Sequence, residues 1–169
     1  MIRVSTPIRS RVLLSLAILR ELYNKVNHYK TMIDRNIKQY VEYKEKMLKI
    51  APEKITDVDK EIEALKVIDN RLSNINIFLE SIILRLETLV LAGNSVVAAL
   101  AVKDIVKILR QHIKGVPPVL AILVDKLDEV SKSLMHELKI NYDAKSIALQ
   151  SYSEASRVVD EAKKAAGLM

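Results

Sequence analysis

The first part of the chain runs for about 43 residues without a residue that breaks a helix. Between Ile8 and Ile50 there is neither Gly nor Pro, and apolar residues recur at steps of three and four. This spacing places them along one face of an α-helix. At 1.5 Å per residue the helix would be roughly 65 Å long, which exceeds what a compact domain of this size needs. Such a rod requires an equally long partner to cover its apolar face.

A second apolar stripe, with the spacing of a coiled coil, supplies that partner. Pro52 is predicted to end the first helix because it disfavours helical backbone at Ala51. Thr56 and Asp59 imitate a capping box for a second helix that starts at about Asp57. Its hairpin-packing residues are Leu65, Leu72, Ile75, Leu79, Ile82, Leu86 and Leu89. A short loop makes two such helices antiparallel, so we expect a long helical hairpin over residues 8–92.

Three shorter helices are predicted over residues 95–166. Gly93 and Asn94 can supply the left-handed backbone that ends the second helix, with Ser95 as the next N-cap. The third helix is predicted to stop at Gly115, and the fourth to begin near Pro117 and Pro118. Both joints are candidate hinges.

The last joint, Asn141-Tyr142-Asp143, is predicted to separate the fourth helix from a fifth that carries a row of small residues. Small side chains let helices approach closely, so the fifth helix is expected to dock onto the hairpin. We therefore predict an all-α chain with one domain, residues 1–169: a long antiparallel hairpin with three shorter helices packed on it.

The sequence contains few residues that could form a catalytic, metal-binding or cofactor-binding site. The absence of Cys excludes thiolate chemistry and is consistent with a cytoplasmic location. The three His have no second ligand at metal-site spacing, and the carboxylates early in the second helix are explained by its positive dipole end. No phosphate-binding glycine loop or nucleophile motif is present. We expect no catalytic residue, no metal and no cofactor, and hence no enzyme.

Positive charge is concentrated in the first helix. The net charge is +6, and the first fifty residues hold eleven Lys and Arg against four Asp and Glu. The candidate membrane-binding residues are Arg3, Arg9, Arg11, Arg20, Lys25, Lys30, Arg35 and Lys38. Each would contribute about 1 kcal/mol when held near anionic lipid. The pattern fits an ordinary solvated helix equally well.

Two other functions fit the same composition. A pI of about 9.4 would suit a nucleic-acid-binding bundle. However, the chain has no Trp and one Phe, and proteins that bind single strands usually stack bases on aromatic side chains. Nucleic acid is therefore not the expected partner. A soluble coiled-coil adaptor without lipid contact is the other alternative.

One stretch of sequence resembles a known family. Residues 79–88 read LESIILRLET and are followed by LAGN at 91–94, then by the apolar segment 96–102 and by VKILR at 106–110. In these segments, and in the order of basic helix, long hairpin, glycine joint and proline joint, the chain resembles the archaeal ESCRT-III (CdvB) family. The likeness extends over roughly residues 9–143.

The resemblance implies a subunit that polymerises with itself and with paralogues on the inner face of the membrane during cell division. It assigns lipid contact to the basic first helix, lateral packing to the hairpin, and switching to the joints at Gly93-Asn94 and at Gly115 to Pro118. No Pro follows Pro118 and no winged helix follows the fifth helix, so a short form is expected. Its contact with the AAA ATPase of the system (CdvC) is expected to be indirect.

Overall fold

The computed structural model describes residues 2–115, 117–141 and 149–168, although the side chains of residues 2–6 and 141 lie outside the description. Every regular element within these ranges is helical. The elements are α1 (Ile2–Ile50), a 3-10 turn (Pro52–Lys54), α2 (Ile55–Leu91), α3 (Ser95–His112), α4 (Pro118–Asn141) and α5 (Leu149–Ala165). The prediction of an all-α chain is confirmed.

The start of α1 differs from the prediction. The helix begins at Ile2 rather than at Ile8, and Pro7 lies inside it. A proline this close to a helix start removes one backbone hydrogen bond near an end where several are missing anyway. The helix therefore continues through it.

The two predicted N-caps are wrong. Thr56 lies inside the first turn of α2, and the N-cap of α2, Lys54, makes no side-chain capping bond. The 3-10 turn leads directly into α2, so the helix needs no separate cap. Ser95 is the first helical residue of α3, and Asn94 occupies its N-cap position.

α1 and α2 pack along each other in opposite directions. Later residues of α1 form ion pairs with earlier residues of α2: Arg20 pairs with Glu87, Lys30 with Asp69 and Lys44 with Asp59. Six of the seven predicted packing residues of α2 are buried: Leu72, Ile75, Leu79, Ile82, Leu86 and Leu89. The seventh, Leu65, is only partly buried.

The centre of the molecule is α3, which contacts α1, α2, α4 and α5. Ala98, Ala99 and Ala101 on α3 are fully buried. Their small side chains let neighbouring helices come close on several sides. Burial of one central apolar helix therefore gathers the other four around it.

α5 packs against both α2 and α3. Its buried residues are small or β-branched and include Ala155, Val158 and Ala162. An ion pair between Arg85 and Glu161 joins α5 to α2. The predicted break at Tyr142 and Asp143, with the residues up to 148, lies outside the described residues.

The bundle covers only part of the α1–α2 pair. No residue from Asn27 to Asp57 is buried, and Val58 and Ile62 are the only buried residues between there and Arg71. The end of the covered part is marked by Arg71, which hydrogen-bonds to the carbonyl of Lys114 just after α3. We call residues 27–71 the projecting segment.

This difference in burial predicts unequal effects of two similar substitutions. Leu79→Ala removes a fully buried side chain and should lower the free energy of unfolding by about 2–5 kcal/mol. Leu65→Ala, in the partly buried projecting segment, should cost less than about 2 kcal/mol. Urea denaturation followed by circular dichroism measures both. Equal losses would contradict the division into a bundle and a projecting segment.

Candidate assembly and membrane surfaces

The predicted membrane-binding residues divide into paired and unpaired cations. Arg11 lies 3.2 Å from Glu137 on α4, and Arg20 pairs with Glu87 on α2. Lys30 pairs with Asp34 and Asp69. These three cations stabilise contacts between helices, and binding of lipid phosphate would require them to exchange partners. The side chain of Arg3 lies outside the described residues.

Four of the predicted cations remain available. Arg9, Lys25, Arg35 and Lys38 are exposed, and none forms an ion pair with the part of the chain that the structure describes. Leu13 and Leu14, beside Arg9, are exposed by 45% and 50%. Exposed leucines next to unpaired cations are typical of helices that lie on a membrane surface. Sequence reasoning missed both leucines because they fall within the same apolar run as the buried residues.

Lys30 occupies the point where the bundle ends and the projecting segment begins. Its ammonium group lies 3.2 Å from a carboxylate oxygen of Asp34 and 3.2 Å from one of Asp69. Partial burial lowers the pKa of Lys30, but its hydrogen bonds to Asp69 and Asp34 outweigh this and leave the pKa raised. Burial and the contact with Asp34 raise the pKa of Asp69 despite the ammonium group. Two carboxylates thus share one cation across α1 and α2.

A second apolar row on α2 is left exposed. Ile77, Leu84 and Leu91 are exposed by 44%, 59% and 85%. They are seven residues apart, which places them on one face of the helix, at the repeat of a coiled coil. We call these three residues the outer stripe. The seven-residue spacing of the outer stripe is visible in the sequence. The buried packing residues of α2, which we call the inward row, have the same period and account for the apolar pattern of α2 without a second row.

A shallow groove runs beside the outer stripe, between α1 and α2. It is lined by Arg20, Tyr23, Asn24, Glu80, Ile83 and Leu84 and encloses about 340 Å³. Tyr23 is partly buried and Ile83 nearly fully buried, so the floor of the groove is apolar. A side chain from a helix placed on the outer stripe could enter it.

The predicted hinges have the backbone that their residue types favour. Gly93 has φ +80°, its N–H donates to the carbonyl of Val90, and the N–H of Asn94 donates to that of Leu89. This pair of bonds is the Schellman motif that closes a helix. At the second joint Gly115 also has positive φ, the carbonyl of Pro117 accepts a hydrogen bond, and Pro118 is the first residue of α4.

The described residues contain no group of three or more side chains suited to hold a metal ion. No helix in these ranges is long and apolar enough to cross a bilayer. Comparisons of the chain with protein-family models, with curated proteins and with solved structures gave no match.

Proposed function

We propose that this protein is a polymer-forming scaffold subunit of the ESCRT-III kind, which assembles with its own copies and with paralogous chains on an anionic membrane. In this proposal α1 and α2 form the long hairpin, and α3, α4 and α5 are the shorter helices packed on it. The proposed location is the cytoplasmic face of the membrane at the site of cell division. The observation that carries the proposal is the outer stripe, an exposed apolar row at coiled-coil spacing on a long helix.

The outer stripe suits a second copy of the same chain. When two copies of α2 pair antiparallel about Leu84, Ile77 of each copy lies opposite Leu91 of the other. Glu80 then lies opposite Thr88 and Glu87 opposite Ser81, so no two carboxylates meet. Heptad-spaced apolar residues stabilise helix pairing once they are removed from water. A two-fold contact of this kind forms a dimer.

A polymer requires a second contact, and the projecting segment offers one of a different type. Residues 27–50 hold six Lys and Arg against three Asp and Glu, whereas residues 51–71 hold four against six. Copies lying side by side in one orientation would place the basic arm of each beside the acidic arm of the next. A contact between two different surfaces can repeat from copy to copy, and it builds an open polymer when the copies do not close into a ring. Charge complementarity between the two arms specifies the orientation of neighbouring copies.

The membrane part of the proposal rests on α1. Arg9, Lys25, Arg35 and Lys38 remain unpaired within the described chain, and Leu13 and Leu14 supply apolar groups that can enter the lipid interface. Four cations at about 1 kcal/mol each are sufficient for reversible binding to an acidic membrane. Polymerisation multiplies such weak contacts into stable attachment.

Disulfide trapping tests the proposed dimer directly, because the chain contains no Cys. Under mild oxidation Leu84→Cys should give a covalent dimer within minutes, because the two-fold axis brings the two substituted positions together. The matched control is Ile122→Cys on α4, since Ile122 is exposed by 55% and Leu84 by 59%. Non-reducing electrophoresis measures the dimer fraction. Equal trapping at both positions, or none at position 84, would rule out pairing through the outer stripe.

Vesicle co-sedimentation tests the membrane part. Replacing Arg9, Lys25, Arg35 and Lys38 by Gln should weaken binding to acidic vesicles at least tenfold, given about 1 kcal/mol for each cation. The control replaces four exposed cations on other helices, Lys103, Lys107, Lys126 and Arg157, and so loses the same charge. Equal losses in the two variants would show attraction by net charge alone. Tight binding to DNA with a steep salt dependence would instead favour a nucleic-acid-binding protein.

The joint at Gly93 is proposed to open and merge α2 with α3 when neighbouring subunits cover the apolar face of α3 that opening would expose. Gly93→Ala should favour the merged form, because Ala costs roughly 1–2 kcal/mol in left-handed backbone. Within a continuous helix Ala is better than Gly by a further ~1 kcal/mol. The critical concentration for polymerisation, measured by light scattering, should therefore fall at least tenfold.

The matched control for this substitution is Gly167→Ala. Gly167 has φ +69°, no atom within 4 Å of an added Cβ, and the same pair of Schellman hydrogen bonds as Gly93. Gly167→Ala introduces a similar local strain, but position 167 lies after α5 rather than at the joint between α2 and α3. The critical concentration of this variant should therefore equal that of the wild type. If Gly93→Ala also leaves the critical concentration unchanged, the joint is not a switch.

A further inference from the structure

A cleft at the end of the bundle carries positive charge that the outer stripe and α1 do not explain. It lies where α2, the end of α3 and the residues after α5 meet, and it encloses about 270 Å³. Its lining residues are Arg71, Asn74, Gln111, His112, Lys114 and Leu168. All but one of these side chains carry hydrogen-bond donors, and none is a carboxylate.

Arg71 is the fixed element of this cleft. Its Nη1 donates to the carbonyl of Lys114 at 3.0 Å. An added Cβ at Gly115 would lie 3.2 Å from the same nitrogen, so the glycine leaves room for the guanidinium group against the turn. The group is therefore held in place, and it forms no ion pair with a carboxylate among the residues that the structure describes.

Other anchored arginines in the described chain differ in this respect. Four of them are paired with carboxylates: Arg11, Arg20, Arg85 and Arg110. A backbone carbonyl orients the guanidinium group of Arg71 but carries no net charge. This contact therefore leaves the positive charge of Arg71 unneutralised. Within the described residues, Lys114 and His112 also form no ion pair with an acidic side chain.

Neutralisation of the helix dipole does not account for this arrangement. The carboxyl end of α3 carries a partial charge of roughly −0.5, which one nearby cation offsets. Arg71 and Lys114 bring two full charges, and His112 adds a further donor. The lining residues that the structure describes therefore give the cleft a net positive charge.

We propose that this cleft binds a phosphate group, either inorganic phosphate or a phosphate monoester. Arg presents several N–H donors in a planar fork that matches phosphate oxygens, and Lys supplies a second charge-assisted hydrogen bond. Asn74 and Gln111 can donate to the remaining oxygens. The volume lies just below the roughly 300–1,000 Å³ of ordinary ligand pockets, which suits a small phosphorylated group rather than a nucleotide.

The proposal is tested by NMR titration of the backbone amides of the whole chain with sodium phosphate, at ionic strength held constant with sodium chloride. Saturable shifts are expected at residues 71, 74 and 111–115. Arg71→Gln should weaken the apparent affinity at least tenfold. Lys114→Gln should also weaken it, and this variant keeps the backbone carbonyl that holds Arg71, so it tests the site even if Arg71→Gln disturbs the joint.

Arg157→Gln is the matched control, because Arg157 is exposed on α5 and forms no ion pair within the described chain.

Glycerol 3-phosphate replaces phosphate in a second arm of the experiment. Vesicles containing phosphatidic acid, compared with phosphatidylglycerol at equal charge density, form a third arm. Arg71-dependent binding in any arm supports the site, and the arm identifies the source of the phosphate group. Shifts that chloride reproduces, equal weakening by Arg157→Gln, or no dependence on Arg71 in all three arms would overturn it.

Discussion

Burial of α3 is the constraint on which the rest of the described structure depends. This helix is apolar around most of its circumference, from Val97 to Leu109; the side with Lys103 and Lys107 is exposed, and all the apolar sides must be covered. A single partner helix cannot do so, whereas α1, α2, α4 and α5 together can. Fully burying each large apolar side chain contributes about 1.5–3 kcal/mol, so the central helix outweighs any one of the surface ion pairs.

The lengths of the helices then decide which surfaces remain free. α1 has 49 residues and α3 has 18, which correspond to about 74 Å and about 27 Å at 1.5 Å per residue. A bundle built around α3 can cover only part of the α1–α2 pair. The remainder is held by partly buried side chains and by ion pairs such as Lys44 to Asp59. The proposed assembly surfaces are the parts that this mismatch leaves open.

The same packing separates most of the cations in the described part of the chain into two kinds. Cations next to another helix acquire carboxylate partners, as Arg11 does with Glu137 on α4, and they help to hold the bundle together. Cations directed away from the bundle, such as Arg35 and Lys38, remain available to a partner. Arg71 belongs to neither kind, because it is held by a backbone carbonyl and keeps its charge.

Local features of this protein were predictable from its sequence. Periodicity and backbone preferences, which act within a few residues, determine these features. They are the helices, the inward row of α2, the positive φ of Gly93 and Gly115, and the helix start at Pro118. The N-caps at Thr56 and Ser95 were predicted wrongly because a neighbouring turn satisfied the backbone in another way. Only the tertiary structure decided which cations are neutralised, which leucines stay exposed and how far the bundle extends along α1. Each of these outcomes depends on contacts between residues far apart in the chain, and the spacing of residues along one helix carries no information about them.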